Sequence, residues 1–194
     1  MSESKVHPVN FRRKRKNLTN YKKRLKLLLS GNNRLVVRKS LNNISAQVVE
    51  YGSKGDKIVV SAHSSELKKL GWKAGTGNIP GAYLTGLLLG KKSSEKGIKE
   101  MVVDLGLNKS IKGSRIYALL KGVSDSGIKV PHSKGILPAD ERIQGEHIKK
   151  YASSIKKDSE DYKRRFSGYI KKGVEPEKIP EIFKQVKDKM IGGK

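Results

Sequence analysis

The chain has 194 residues, with 43 Lys+Arg against 18 Asp+Glu, a formal charge of +25. Such an excess of one sign points to a polyanionic partner, with nucleic acid ahead of an anionic membrane surface. The absence of cysteine excludes disulfides, thiolate metal sites and cysteine nucleophiles, and no apolar run reaches bilayer-spanning length.

Between Phe11 and Arg24 the chain carries eight Lys/Arg and no acid, interleaved with Phe11, Asn17, Asn20 and Tyr21. A segment of this kind repels itself, and dense phosphate would neutralise it while the aromatics and amides meet bases. The competing readings are a solubility tail or a targeting signal. An apolar secretory core is missing from the first residues, and the scattered Trp and Phe do not build an interfacial membrane helix. A cytoplasmic protein without membrane contact is expected.

Residues 1 to about 17 show no periodicity and are expected to order on a partner. A short helix follows, with Thr19 as its cap, Leu18, Tyr21, Leu25 and Leu28 at helical spacing, and Gly31 at its end. Three β-branched runs, Arg34 to Ser40, Asn43 to Tyr51 and Lys57 to Ser64, predict an antiparallel meander. Ser65 to Leu70 reads as a short helix and Gly71 to Gly77 as a loop. Asn78 is placed to cap a buried helix running to about Lys92. Met101 to Leu105 is a fourth strand, Arg115 opens another helix, and Ile128 to Val130 is a short fifth strand. Beyond it, three amphipathic helices are expected around Ile143 to Ile155, Tyr162 to Ile170, and Pro180 to Met190, and none of them needs to join the main core. Strands followed by alternating helices predict an α/β domain with a mixed sheet.

Several motifs carry less chemistry than their residues suggest. Gly75 to Gly81 reads G-x-G-x-x-x-G, one residue too long for a dinucleotide fingerprint. Gly86 to Ser93 lacks one residue of a P-loop, and Lys91 and Lys92 read as cations at a helix C-terminus. His7, His63, His132 and His147 have no metal-site spacing. His132 sits in the basic loop Pro131-His132-Ser133-Lys134-Gly135, where RNA contact and plain surface exposure are equally open. The main alternative function is a free-standing RNA-processing nuclease. It lacks the clustered carboxylates that two-metal hydrolysis needs, since Arg34 to Ser40 holds no acid and Asp104 stands alone in its strand. No catalytic residue, metal or cofactor is assigned.

The arm Phe11 to Leu25, the strands Leu35 to Ser40 and Ile44 to Tyr51, Gly71-Trp72-Lys73-Ala74-Gly75-Thr76-Gly77-Asn78, the helix Gly81 to Leu89, Ala118 to Gly127 and Val130-Pro131-His132-Ser133 occur in order. Over residues 10 to 152 this pattern resembles the universal large-subunit ribosomal protein family that binds 5S rRNA, called L-eighteen in bacteria and archaea and L-five in eukaryotes. The arm and the compact C-terminal helices look like the archaeal form.

The resemblance implies a three-layer α/β/α domain of ribonuclease-H-like topology without nuclease activity. It implies a structural role joining 5S rRNA to 23S rRNA in the central protuberance of the large subunit, beside the bacterial-type L-five protein and other proteins there. By position, Arg12, Arg13, Lys14, Arg15, Asn17, Tyr21, Lys22 and Arg24 match the family's RNA-binding arm, and Arg38 and Lys39 its first-strand basic pair. The expected organisation is an arm with a short helix over 1–30, an α/β core over 31–152 and a helical extension over 153–194.

Overall fold

The computed structural model describes residues 9–156 and 159–192. The first eight residues of the predicted arm lie outside them. Strands β1 (Arg34–Lys39), β2 (Ile44–Gly52) and β3 (Gly55–His63) form the expected meander, with Val37 opposite Ala46 and Ala46 opposite Ala62. Because side chains alternate along a strand, Leu35, Val37, Ile44, Ala46, Val48, Val60 and Ala62 fall on one face, and all are buried. Register shifts at Val48/Val49, where Val48 pairs with Val60 but Val49 with Ile58. This irregularity buries two successive β2 residues, one toward each face.

Strand β4 (Val102–Asp104) pairs parallel to β1, with Arg34 opposite Val102 and Val36 opposite Asp104, giving a mixed sheet in the order β3-β2-β1-β4. A parallel neighbour demands a long crossover. It is supplied by a 3-10 helix over Ser64–Leu70 and by α3 (Ile79–Glu95), the helix predicted from Asn78. The Asn78 side chain accepts a hydrogen bond from the Gly81 amide at 2.8 Å, and Pro80 occupies the first turn, where its missing N–H costs nothing.

Helix α3 is buried around most of its circumference. It packs on β2 and β3, along α4 (Arg115–Asp125), and against the C-terminal helices. The α3–α4 contact is a mutual backbone approach. A methyl group on Gly86 would overlap the Leu119 carbonyl, and one on Gly122 the Tyr83 carbonyl.

Six expectations are corrected. The helix after the arm is capped by Asn20, not Thr19; Asn20 Oδ1 accepts from the Lys23 amide at 3.1 Å, and Thr19 faces Arg13 instead. Helix α3 continues past Lys92 to Glu95, which leaves Lys92 in its last turn and Lys91 just before that turn. Lys91 Nζ donates to the Met190 carbonyl, and Lys92 Nζ to the Ser61 carbonyl and Glu66. The fifth strand is reduced to one parallel bridge, Glu100 to Lys129, because Pro131 stops the ladder at once. The helix expected around Ile143 to Ile155 is broken at Gly145, with φ of 92°, into α5 (Asp140–Gln144) and α6 (Glu146–Ile155). The segment around Tyr162 to Ile170 is likewise two pieces, α7 (Ser159–Arg165) and α8 (Ser167–Ile170).

The sixth correction concerns packing. The final helix, α9 (Ile179–Gly192), inserts Ile179, Phe183, Val186 and Met190 into the same apolar cluster as Leu84, Leu87 and Leu119. Ile143 joins them. The C-terminal helices therefore help close the core, because α3 leaves an apolar side that the sheet and α4 do not cover.

Candidate nucleic-acid interface

The opposite face of the sheet is polar where the core face is apolar. Arg34, Val36 and Arg38 alternate along β1, and Gln47, Val49 and Ile58 continue the face. Over it lie the two short arm helices, α1 (Arg12–Arg15) and α2 (Tyr21–Leu28). Asn17 turns the chain between them in the left-handed conformation, φ 50°, which Asn tolerates better than most residues.

The arm is held by specific contacts. Phe11 and Tyr21 meet ring to ring at 5.3 Å, folding the first basic turn back on α2. Arg13 Nε donates to Thr19 Oγ1 at 2.8 Å. Arg24 Nη2 donates to both oxygens of Asp56, at 2.8 and 2.9 Å, tying α2 to the start of β3. These contacts leave Arg12, Arg13, Lys14, Arg15, Asn17 and Lys22 at the surface. Arg38 and Lys39 are also exposed at the end of β1.

Between α2 and the sheet lies a cleft of about 660 Å³. Its walls bring together four predicted site residues, Arg13, Tyr21, Arg24 and Arg38, with Lys23, Arg34, Asn20 and Gln47. Arg12, Lys14, Arg15, Asn17, Lys22 and Lys39 lie outside its lining. His132 is exposed and also outside it. The His132 Nδ1 is 2.7 Å from the Val130 carbonyl, which can only accept, so Nδ1 donates to it.

Arg34 is the site residue that sequence reasoning missed. It is only 2 % exposed. Its Nη2 lies 2.8 Å from Asp56 and its Nη1 3.4 Å from Asp104, so the guanidinium sits between two carboxylates. Its Nε has no partner. An arginine opening a strand reads as a surface residue, and only the arrival of Asp56 from the start of β3 and Asp104 from β4 reveals its burial.

Asp104, the acid first suspected in a nuclease reading, is not a free carboxylate. Arg34 and Arg38 flank it at 3.4 and 3.5 Å, and its Oδ1 accepts from the Gly106 amide at 2.7 Å. The Arg24 hydrogen bond holds the Asp56 carboxyl below the usual aspartate range, with Arg34 adding to the effect against burial. Both acids thus serve as internal counter-ions. Among the described residues no group of three or more His, Cys, Asp or Glu side chains is placed to hold a metal ion.

The glycine loop before α3 is committed to the fold. Thr76 Oγ1 donates to the Asn42 carbonyl at 2.7 Å, and Arg115 Nη1 donates to the Gly77 carbonyl at 2.6 Å. Trp72 Nε1 donates to the Gly75 carbonyl at 3.1 Å. The loop buckles the β1–β2 turn to α3 and α4. Among the described residues no helix is long and apolar enough to cross a membrane.

A mixed α/β scaffold that displays an ordered basic arm beside an arginine-lined cleft defines a nucleic-acid-binding protein. A family model for ribosomal large subunit proteins 60S L5 and 50S L18 matches residues 5–101 and 91–133, and the chain belongs to that family. It is a ribosomal protein of the large subunit that binds 5S rRNA, a structural component and not an enzyme.

Proposed function

We propose that the arm grips 5S rRNA through Arg12, Arg13, Lys14, Arg15, Asn17, Tyr21 and Lys22, with Arg38, Lys39 and His132 extending the contact across the sheet edge. Arg24 belongs to the same surface and also fixes its geometry. The protein thereby helps attach 5S rRNA to 23S rRNA in the central protuberance, beside the bacterial-type L-five protein. The observation that carries this reading is the way Phe11–Tyr21, Arg13–Thr19 and Arg24–Asp56 pre-organise a run of cations that has no acid within it. Pre-organisation lowers the ordering cost of binding and turns a charged segment into a specific one.

The division of labour follows: residues 1–30 grip RNA, 31–152 form the scaffold and 153–194 form the helical extension. The strand order β3-β2-β1-β4, with β4 parallel to β1 and the Glu100–Lys129 bridge beyond it, supports a three-layer ribonuclease-H-like architecture. The arm side is its thin layer, since α2 has no fully buried residue. An arm before the core and helices after it favour the archaeal form.

Deleting Met1 to Lys16 tests the assignment. The segment's described part, residues 9–16, contributes no buried side chain. The truncated protein should keep its melting temperature within a few degrees and lose most of its affinity for 5S rRNA. Unchanged affinity would remove the arm from the interface.

A further inference from the structure

The family match ends at residue 133, and the helices beyond it carry a second site-like feature. Helix α6 and the α7–α8 pair enclose an open slot of about 640 Å³, lined by His147, Ile148, Tyr151, Arg165, Phe166 and Tyr169. That volume lies within the range of about 300–1,000 Å³ typical of ligand pockets. Phe166 is its buried centre, with the rings of Tyr162, Tyr169 and Tyr151 at 5.4, 5.8 and 6.1 Å.

Three features of the slot exceed what packing requires. Tyr151 is 42 % exposed, although its ring leans on Phe166. The Arg165 guanidinium stands 5.8 Å from the centre of the Tyr151 ring and is steadied by Asp161, which accepts from Arg165 Nε at 3.1 Å. His147 Nδ1, on the slot wall, is buried and has no hydrogen-bond partner.

An aromatic slot by itself would suit either an apolar side chain or a nucleobase. The charge around it decides. Residues 146–156 and 159–172 carry eight Lys/Arg against Glu146, Glu160 and Asp161. Asp161 is already engaged by Arg164 and Arg165. Cations beside an exposed aromatic ring are the means by which proteins hold unpaired nucleic acid, with bases stacked on rings and phosphates on Lys and Arg.

We propose that this slot receives an unpaired RNA base stacked on Tyr151, its edge toward His147, with Arg165, Arg164 and Lys150 serving the flanking phosphates. The protein then holds RNA at two separate places, the arm and the C-terminal extension. This goes beyond the arm assignment and does not depend on which arm residues touch 5S rRNA.

The test uses the full chain and a ten-nucleotide oligouridylate containing 4-thiouridine. Photocrosslinks mapped by mass spectrometry should include Tyr151 or its neighbours between residues 147 and 169, as well as the arm. Affinity is then compared at elevated salt, where phosphate contacts weaken and stacking persists. Tyr151→Leu keeps an apolar contact with Phe166 and should weaken binding by at least about fivefold, whereas Tyr151→Phe should bind like the wild type. Crosslinks confined to residues 9–40, or equal affinity of Tyr151→Leu and wild type, would overturn the proposal and leave the slot to a protein side chain. The crosslinking arm needs no variant, so a Tyr151→Leu protein that fails to fold does not rescue the idea. Retained 5S rRNA binding in the same preparations separates this failure from a failure of the arm assignment.

Discussion

Arg24 and Asp56, 32 residues apart in sequence, close on each other through one guanidinium nitrogen that donates to both carboxylate oxygens. The pair joins the basic arm to the sheet, and the same Asp56 neutralises the buried Arg34. One carboxylate thus governs both the arm's position and the cost of a charge inside the fold.

Asp56→Asn should therefore act on two properties. The Arg24 side of the clamp is partly exposed, and its loss alone costs under about 1 kcal/mol. Arg34 is then left with Asp104 as its single counter-ion, which raises the total to about 1–3 kcal/mol. Chemical denaturation measures that loss. Binding to 5S rRNA should weaken severalfold although a negative charge has been removed from beside the basic arm. Stronger binding would mean that Asp56 acts only as a repulsive charge.

Acid should destabilise the protein in two stages. Burial, aided by Arg142, holds His147 below the usual histidine range, so the folded protein favours the neutral ring. Its contribution is complete above about pH 6.5 and declines as pH falls below that unfolded-state value. Asp56 is held below the usual carboxylate range, first by Arg24. Its contribution is complete above about pH 4 and is lost as pH falls through the lower folded-state value. Urea unfolding at several pH values should show the upper stage vanish in His147→Gln and the lower stage shrink in Asp56→Asn. Identical pH profiles for wild type and variants would contradict both assignments.

Gly86→Ala and Gly122→Ala should each cost about 1–3 kcal/mol or more, despite the better helix propensity of alanine. Each methyl group meets backbone of the facing helix, which cannot rotate away as a side chain can. Thermal unfolding decides this, and a stabilised Gly122→Ala protein would show that α3 and α4 separate without penalty.

Much of this architecture is legible in the sequence because it is local. Alternating β-branched runs mark β1 to β3, and Asn78 with Pro80 marks the start of α3. Asn20 competes with Thr19 for the cap one residue away, a choice that residue type does not decide. Gly145 breaks a helix whose apolar spacing continues across it, so periodicity alone joins α5 to α6. The basic arm is plain from its charge, but its order is not, since Phe11–Tyr21 and Arg24–Asp56 are contacts across space. Arg34 is the clearest case: its burial depends on two carboxylates that arrive from β3 and β4, one of them 70 residues later.

The central claim is that 5S rRNA is held mainly through phosphate contacts from the arm. Its most direct test is the salt dependence of binding, measured for the wild type and for Arg12→Ala/Arg13→Ala/Lys14→Ala/Arg15→Ala. With roughly six phosphates neutralised, the wild-type slope of log K against log salt should be about −4 to −6. The variant, lacking four cations, should bind more weakly, with a slope shallower by about 3. A wild-type slope near zero, or a variant slope equal to that of the wild type, would contradict the account.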